Sequence, residues 1–210
     1  MAVLLAAAAG AGAQATSPLS AARYTTLDTL YTFSVGLERK PTPQLLARLG
    51  SYCATIDRAD PLLAVLRSNC ELSIAATKEG HAFAACGSRM SCLRRATPPL
   101  HATIARLTAV VRKADRVVVT QVVAGSCRTA LRDSPDVLRS DEILLDGLAG
   151  VQRALRSGSQ PALKRAHRRL ETAARVQAEG PSSARQRKAF RAACGPPPAG
   201  IAPAPPALLA

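Results

Sequence analysis

Residues 97–121 read TPPLHATIARLTAVVRKADRVVVTQ, and the spacing of their apolar side chains decides the fold class. Leu100, Ile104, Leu107, Val111, Ala114 and Val118 recur at alternating steps of four and three. On a helix turning about 100° per residue they form one stripe, as expected of a helix facing the centre of a bundle. Val117–Val118–Val119, followed by Val122 and Val123, pulls the other way, because β-branched residues are stiff in helices and favour strands. No second strand candidate exists in the sequence, and a lone strand has no ladder partner. The stretch is therefore read as one helix running to about residue 132.

Working outward, the same start signal recurs. Ser17-Pro18, Thr42-Pro43, Asp60-Pro61, Thr97-Pro98 and Ser134-Pro135 each place a capping side chain before a proline. The polar group accepts from free helix N–H groups, and proline in the first turn gives up no hydrogen bond. Gln160-Pro161 is a weaker start, and Gly180-Pro181 separates the last two segments. Helices are expected over roughly 18–38, 43–57, 61–79, 81–95, 98–132, 135–156, 160–179 and 182–193. Gly80 marks a weak point where the third and fourth form either two helices or one bent helix. Asp60, Thr97 and Ser134 are spaced by 37 residues, close to the period of helical repeats, but the segments that follow share little, and we read the spacing as coincidence or matched helix lengths.

The composition agrees with helix. Hydrophobic residues make up 48%, mainly Ala, Leu and Val, with aromatics at 3% and no Trp. Ala, Leu and Arg lose little on entering a helix. A core with few aromatic anchors buries less area per residue, so covalent staples gain weight.

Two features place the chain outside the cytoplasm. Residues 1–15, MAVLLAAAAGAGAQA, form a short apolar run ending in an A-x-A cleavage pattern at Ala13-Gln14-Ala15. The run is too short to span a bilayer, and it lacks the usual basic start, since the first charge is Arg23. Six cysteines follow, Cys53, Cys70, Cys86, Cys92, Cys127 and Cys194, with no C-x-x-C pair among them. An even cysteine count after an export signal reads as a disulfide framework. We expect Cys127 to pair with Cys194 and the first four to pair among themselves, because those four sit in short consecutive helical segments that must fold back on each other. His81, Cys86, Cys92 and His101 are all metal-ligand types, but their spacing fits no zinc pattern, and neither a metal nor a cofactor is expected.

The organisation expected is a leader at 1–15, a bundle at 16–194 and a Pro/Ala-rich disordered tail at 195–210, GPPPAGIAPAPPALLA preceded by Cys194. No transmembrane segment is expected in the mature chain.

No nucleotide-binding loop, zinc-protease or serine-hydrolase signature occurs. Asp141, Glu142 and Asp146 form an acidic group near a helix start, where the dipole favours negative charge, and a structural role is expected over a catalytic one. Charge is the usable hint. The net charge is +14, and Lys164, Arg165, Arg168, Arg169, Arg175, Arg185, Arg187, Lys188 and Arg191 stand against only Glu171 and Glu179 in the last segment before Cys194. Leu163, Ala166, His167, Leu170 and Ala174 fall on the opposite side, which makes 160–179 amphipathic and places His167 as a packing residue.

The fold expected is all-α, an antiparallel multi-helix bundle stabilised by disulfides. The function expected is an exported, non-enzymatic binding or structural protein whose basic C-terminal region contacts an anionic membrane surface, cell-wall polymer or other polyanion. Sequence-specific nucleic-acid binding is disfavoured by the absence of a helix-turn-helix pattern and of stacking aromatics. The alternatives are a secreted signalling factor of cytokine-like layout, with a protein receptor as partner, and an enzyme with an unrecognised site around Glu142, Asp146 or His101.

Overall fold

A computed structural model describes residues 18–132 and 135–196, and these are all-helical, with no strand among them. The leader, Ser134 and the tail from 197 onward lie outside the described residues. The helices are α1 (Ala21–Arg39), α2 (Pro43–Thr55), α3 (Pro61–Ala84), α4 (Met90–Gln121), α5 (Gly125–Leu131), α6 (Pro135–Ser157), α7 (Gln160–Glu179) and α8 (Ser183–Cys194).

The α3–α4 hairpin is the spine. α4 has 32 residues and is therefore ~48 Å long. At one end, Leu62 of α3 and Val118 and Val122 at the end of α4 pack with Leu27, Phe190 and the Cys127–Cys194 pair, which gathers α1, α5 and α8. At the other end, Leu93, Val151, Leu155 and Ala166 form a core from α4, α6 and α7. α2 closes a third cluster over α1 and α3 through Leu45, Leu49 and Phe33. The Leu100–Val118 stripe is buried or half-buried along its length, as its spacing predicts.

Local chemistry sets most boundaries. Thr42 accepts from the Leu45 N–H, and Asp60 accepts from Leu62 and Leu63, with proline next in both cases. α1 starts later than Ser17-Pro18 implied: Ser20 is its cap, and Leu19 and Tyr24 share one core cluster, bracketing the start as a hydrophobic staple. The α6–α7 turn is a Schellman-type close, with Gly158 at φ 66 and the Ser159 N–H donating to the Ala154 carbonyl.

Two expectations are corrected. Thr97-Pro98 starts no helix, since α4 already begins at Met90 and carries Pro98 and Pro99 inside it. Thr97 instead donates its hydroxyl to the Leu93 carbonyl at 2.6 Å and is wholly buried. The Cys86–Cys92 bridge fixes the preceding turn, so the upstream residues are committed to helix before the prolines arrive. The equal spacing of Asp60, Thr97 and Ser134 is thus not a spacing of helix starts. The 98–132 helix, in turn, breaks at Val122–Ala124: Val122 is extended, at φ −111 and ψ 110, and separates α4 from α5. Val117–Val119 remain helical, so the β-branched run ends the helix without forming a strand.

All three disulfides match the expected grouping: Cys53–Cys70, Cys86–Cys92 and Cys127–Cys194.

α3 runs unbroken through Gly80, where an added Cβ meets nothing within 4 Å. Gly147, where α6 packs on α7, is the opposite case, since its added Cβ would lie 2.6 Å from Leu170 Cδ2 and 3.1 Å from Leu170 Cγ. Alanine is favoured over glycine in a helix by about 1 kcal/mol. Gly80→Ala is therefore expected to raise stability by about 0.5–1 kcal/mol. Gly147→Ala is expected to lower it by about 1–2 kcal/mol, because overpacking outweighs propensity. Urea melts of the pair check the sign; a stabilised Gly147→Ala would mean that the α6–α7 contact has slack.

Candidate functional site

The basic residues picked out from the sequence do not form one surface. α7 packs on α6, whereas α8 packs on α1 and α5 towards the far end of the spine. On α8, Arg187 and Arg191 are both turned onto Asp28 of α1, whose side chain is only 6% exposed. Each arginine presents a fork: Arg187 Nε and Nη2 donate at 3.0 and 2.9 Å, and Arg191 Nε and Nη2 at 2.8 and 2.9 Å. Burial alone would push the Asp28 carboxyl up, but the two guanidinium groups outweigh it and hold its pKa at about 2. Arg185 and Lys188 remain exposed on α8.

On α7, Arg169 is engaged by Asp146 at 2.6 Å, with Arg153 on the same carboxylate at 3.8 Å. Lys164, Arg165, Arg168 and Arg175 are exposed, and none has an ion-pair partner among the described residues. α7 is capped by Ser159, which accepts from the Ala162 N–H, so these cations sit on a well-started helix. The buried stripe of α7 is Ala166 and Ala173, with Leu163 and Leu170 half-buried; Ala174 is exposed, against expectation.

Beside this face lies a feature that the sequence did not reveal. A cleft of about 640 Å³ opens between α7, the end of α3 and the turn held by Cys86–Cys92. Its apolar lining is Phe83, Leu93, Val151, Leu163 and Leu170, and Lys164 and Arg168 stand at its edge. His167 also lines it. It is exposed rather than packed, and its Nε2 lies 3.4 Å from Glu171. Gly87, at φ 53, and Ser88 form the wall inside the short disulfide loop. These positions span three separate segments of the chain. The only local signal was an amphipathic α7 with leucines bordering its basic face.

The acidic group does not converge. Glu142 pairs with Arg112 at 2.6 Å, Asp146 with Arg169 and Arg153, and Asp141 accepts from the Thr108 hydroxyl at 3.3 Å. Burial pushes the Asp141 carboxyl up, the Thr108 bond draws it down, and the Glu142 charge adds to the rise. Cys86 and Cys92 are joined to each other, so they offer no thiolate to His81 or His101. Among the described residues no helix is long and apolar enough to cross a membrane.

No protein-family model, no curated protein and no solved structure matches this chain.

Proposed function

We propose that this is an exported, non-enzymatic binding protein that receives an anionic partner on α7. The observation that carries the reading is the set Lys164, Arg165, Arg168 and Arg175, exposed on one helix without ion-pair partners among the described residues. Arg187, Arg191 and Arg169, which the sequence alone would add, are already taken up by Asp28 and Asp146. Cations without internal partners are the ones that can release counterions to a phosphate, sulfate or carboxylate group. Export is supported by three closed bridges with no free cysteine, since such bridges persist in oxidising compartments.

Elution from a heparin column and co-sedimentation with phosphatidylglycerol vesicles test the surface. Lys164→Gln, Arg165→Gln, Arg168→Gln and Arg175→Gln combined are expected to abolish retention above roughly physiological salt, by removing most of the counterion release. Arg185→Gln with Lys188→Gln, on α8, is expected to leave retention unchanged. If the α7 variant binds like the wild type, or the α8 pair removes binding, the site is not on α7.

A further inference from the structure

We infer that the cleft between α7 and the Cys86–Cys92 turn binds a single-chain amphipathic anion, its acidic head on Lys164 and Arg168 and its hydrocarbon chain along Phe83, Leu163 and Leu170. The inference rests on the reading of α7 as the anion-facing helix and names what that helix would hold.

Three observations converge on this ligand class. The first is size: at about 640 Å³ the cleft falls within the ~300–1,000 Å³ of small-molecule sites. The second is polarity. The apolar side chains that stay accessible are Phe83, Leu163 and Leu170, each half-buried, whereas Leu93 and Val151 are already covered, so the floor offers an acyl chain contact with Ser88 and Gln160 as the uncharged polar side chains of the lining. The third is charge. The edge carries two cations, Lys164 and Arg168, without ion-pair partners among the described residues, against one carboxylate, Glu171, whose Oε1 lies 3.4 Å from His167 Nε2. A neutral apolar ligand would leave Lys164 and Arg168 unused. A polyanion without a chain would leave the floor unused. A carboxylate, sulfate or phosphate head on one alkyl chain uses both. The site is also held open in advance: the wall at Gly87 and Ser88 lies inside the Cys86–Cys92 loop, so little ordering is left for the ligand to impose.

Isothermal titration of the full chain with monomeric dodecanoate, with octanoate and heparin run alongside, tests it. Dodecanoate is expected to bind one-to-one. Octanoate, four methylenes shorter, is expected to bind about 200-fold more weakly, because each buried methylene contributes roughly a factor of four. Lys164→Gln with Arg168→Gln is expected to weaken dodecanoate by at least about ten-fold through loss of the charged head contact. Ala84→Trp, at an exposed position on the cleft wall, is expected to block dodecanoate while leaving heparin binding intact. Dodecanoate that binds the Lys164/Arg168 variant as tightly as the wild type, or that ignores Ala84→Trp, overturns the inference. Heparin binding without any dodecanoate binding overturns it and leaves α7 as a plain polyanion surface; failure of both removes the two readings together. If dodecanoate fails and the wild type self-associates while Ala84→Trp does not, the cleft belongs to a second copy of the chain instead.

Discussion

Asp28→Asn lowers stability by about 3 kcal/mol at neutral pH, and the loss is felt first in α8. The Asp28 side chain is nearly dry, yet it accepts four charge-assisted hydrogen bonds from two arginines. Asparagine keeps the shape but removes the charge, and it turns an NH2 group towards a guanidinium that also only donates. Removing one partner of a buried ion pair costs about 3–5 kcal/mol, and the lower end applies because Arg191 is 47% exposed and can rehydrate. The pH dependence carries the same signature. Folding lowers the Asp28 pKa from 3.8 to about 2, so the carboxylate stabilises the fold above its unfolded value, and that contribution is lost as pH falls through the folded one. At ~1.4 kcal/mol per unit the shift amounts to about 2–3 kcal/mol, withdrawn between roughly pH 5 and pH 1. Urea melts at pH 7 and pH 2 check both points: the gap between wild type and Asp28→Asn should be wide at the first and mostly closed at the second. Hydrogen exchange should show residues 183–194 losing protection before the α3–α4 hairpin. A gap that does not change with pH would mean that the carboxylate is not what holds α8.

Asp28 also shows where sequence reasoning stops. The helices were legible because their signals are local: Thr42 and Asp60 cap within three residues, and the Leu100–Val118 stripe needs only the period of one helix. The grouping of the disulfides was legible from the way consecutive helices fold back. The same local logic misled at Thr97-Pro98, where a turn fixed by Cys86–Cys92 starts α4 early and the capping hydroxyl bonds backwards to Leu93. Asp28 and its arginines are 159 and 163 residues apart, and no pattern along the chain distinguishes Arg187, which is committed, from Arg168, which is not. The cleft was invisible for the same reason, being made where α3, α4, α6 and α7 meet. Charge count alone overstated the free cations of the last two helices: geometry commits Arg169, Arg187 and Arg191 to carboxylates and sets an apolar floor beside Lys164 and Arg168.

The other large effect expected is covalent. Cys127→Ala with Cys194→Ala should cost about 4 kcal/mol, more than removal of either remaining bridge. A bridge acts chiefly by restricting the unfolded chain, and the restriction grows with the loop it closes. The separations are 67 residues for Cys127–Cys194, 17 for Cys53–Cys70 and 6 for Cys86–Cys92. Chain entropy then orders the losses at about 4, 3 and 2 kcal/mol. Position strengthens the order. Cys127 and Cys194 are wholly buried, and they join α8 to α5, a seven-residue helix with no side-chain cap. An isolated helix of that length does not hold itself together in water. Without the bridge, α5 and the end of α8 depend on Phe190, which packs on Tyr24 and Tyr31 at ring separations of 5.0 and 5.5 Å, and on the Asp28 pair. The Cys127/Cys194 and Asp28 changes should therefore combine non-additively, because both release the same helix. The short Cys86–Cys92 bridge has the opposite profile: its alanine pair should cost least in global stability but loosen the cleft wall and weaken dodecanoate. Urea midpoints of the three double-alanine variants, read with dodecanoate affinity for each, check the argument. If the shortest loop costs the most stability, or if the cleft keeps its affinity without its bridge, loop closure is not how these disulfides divide their work.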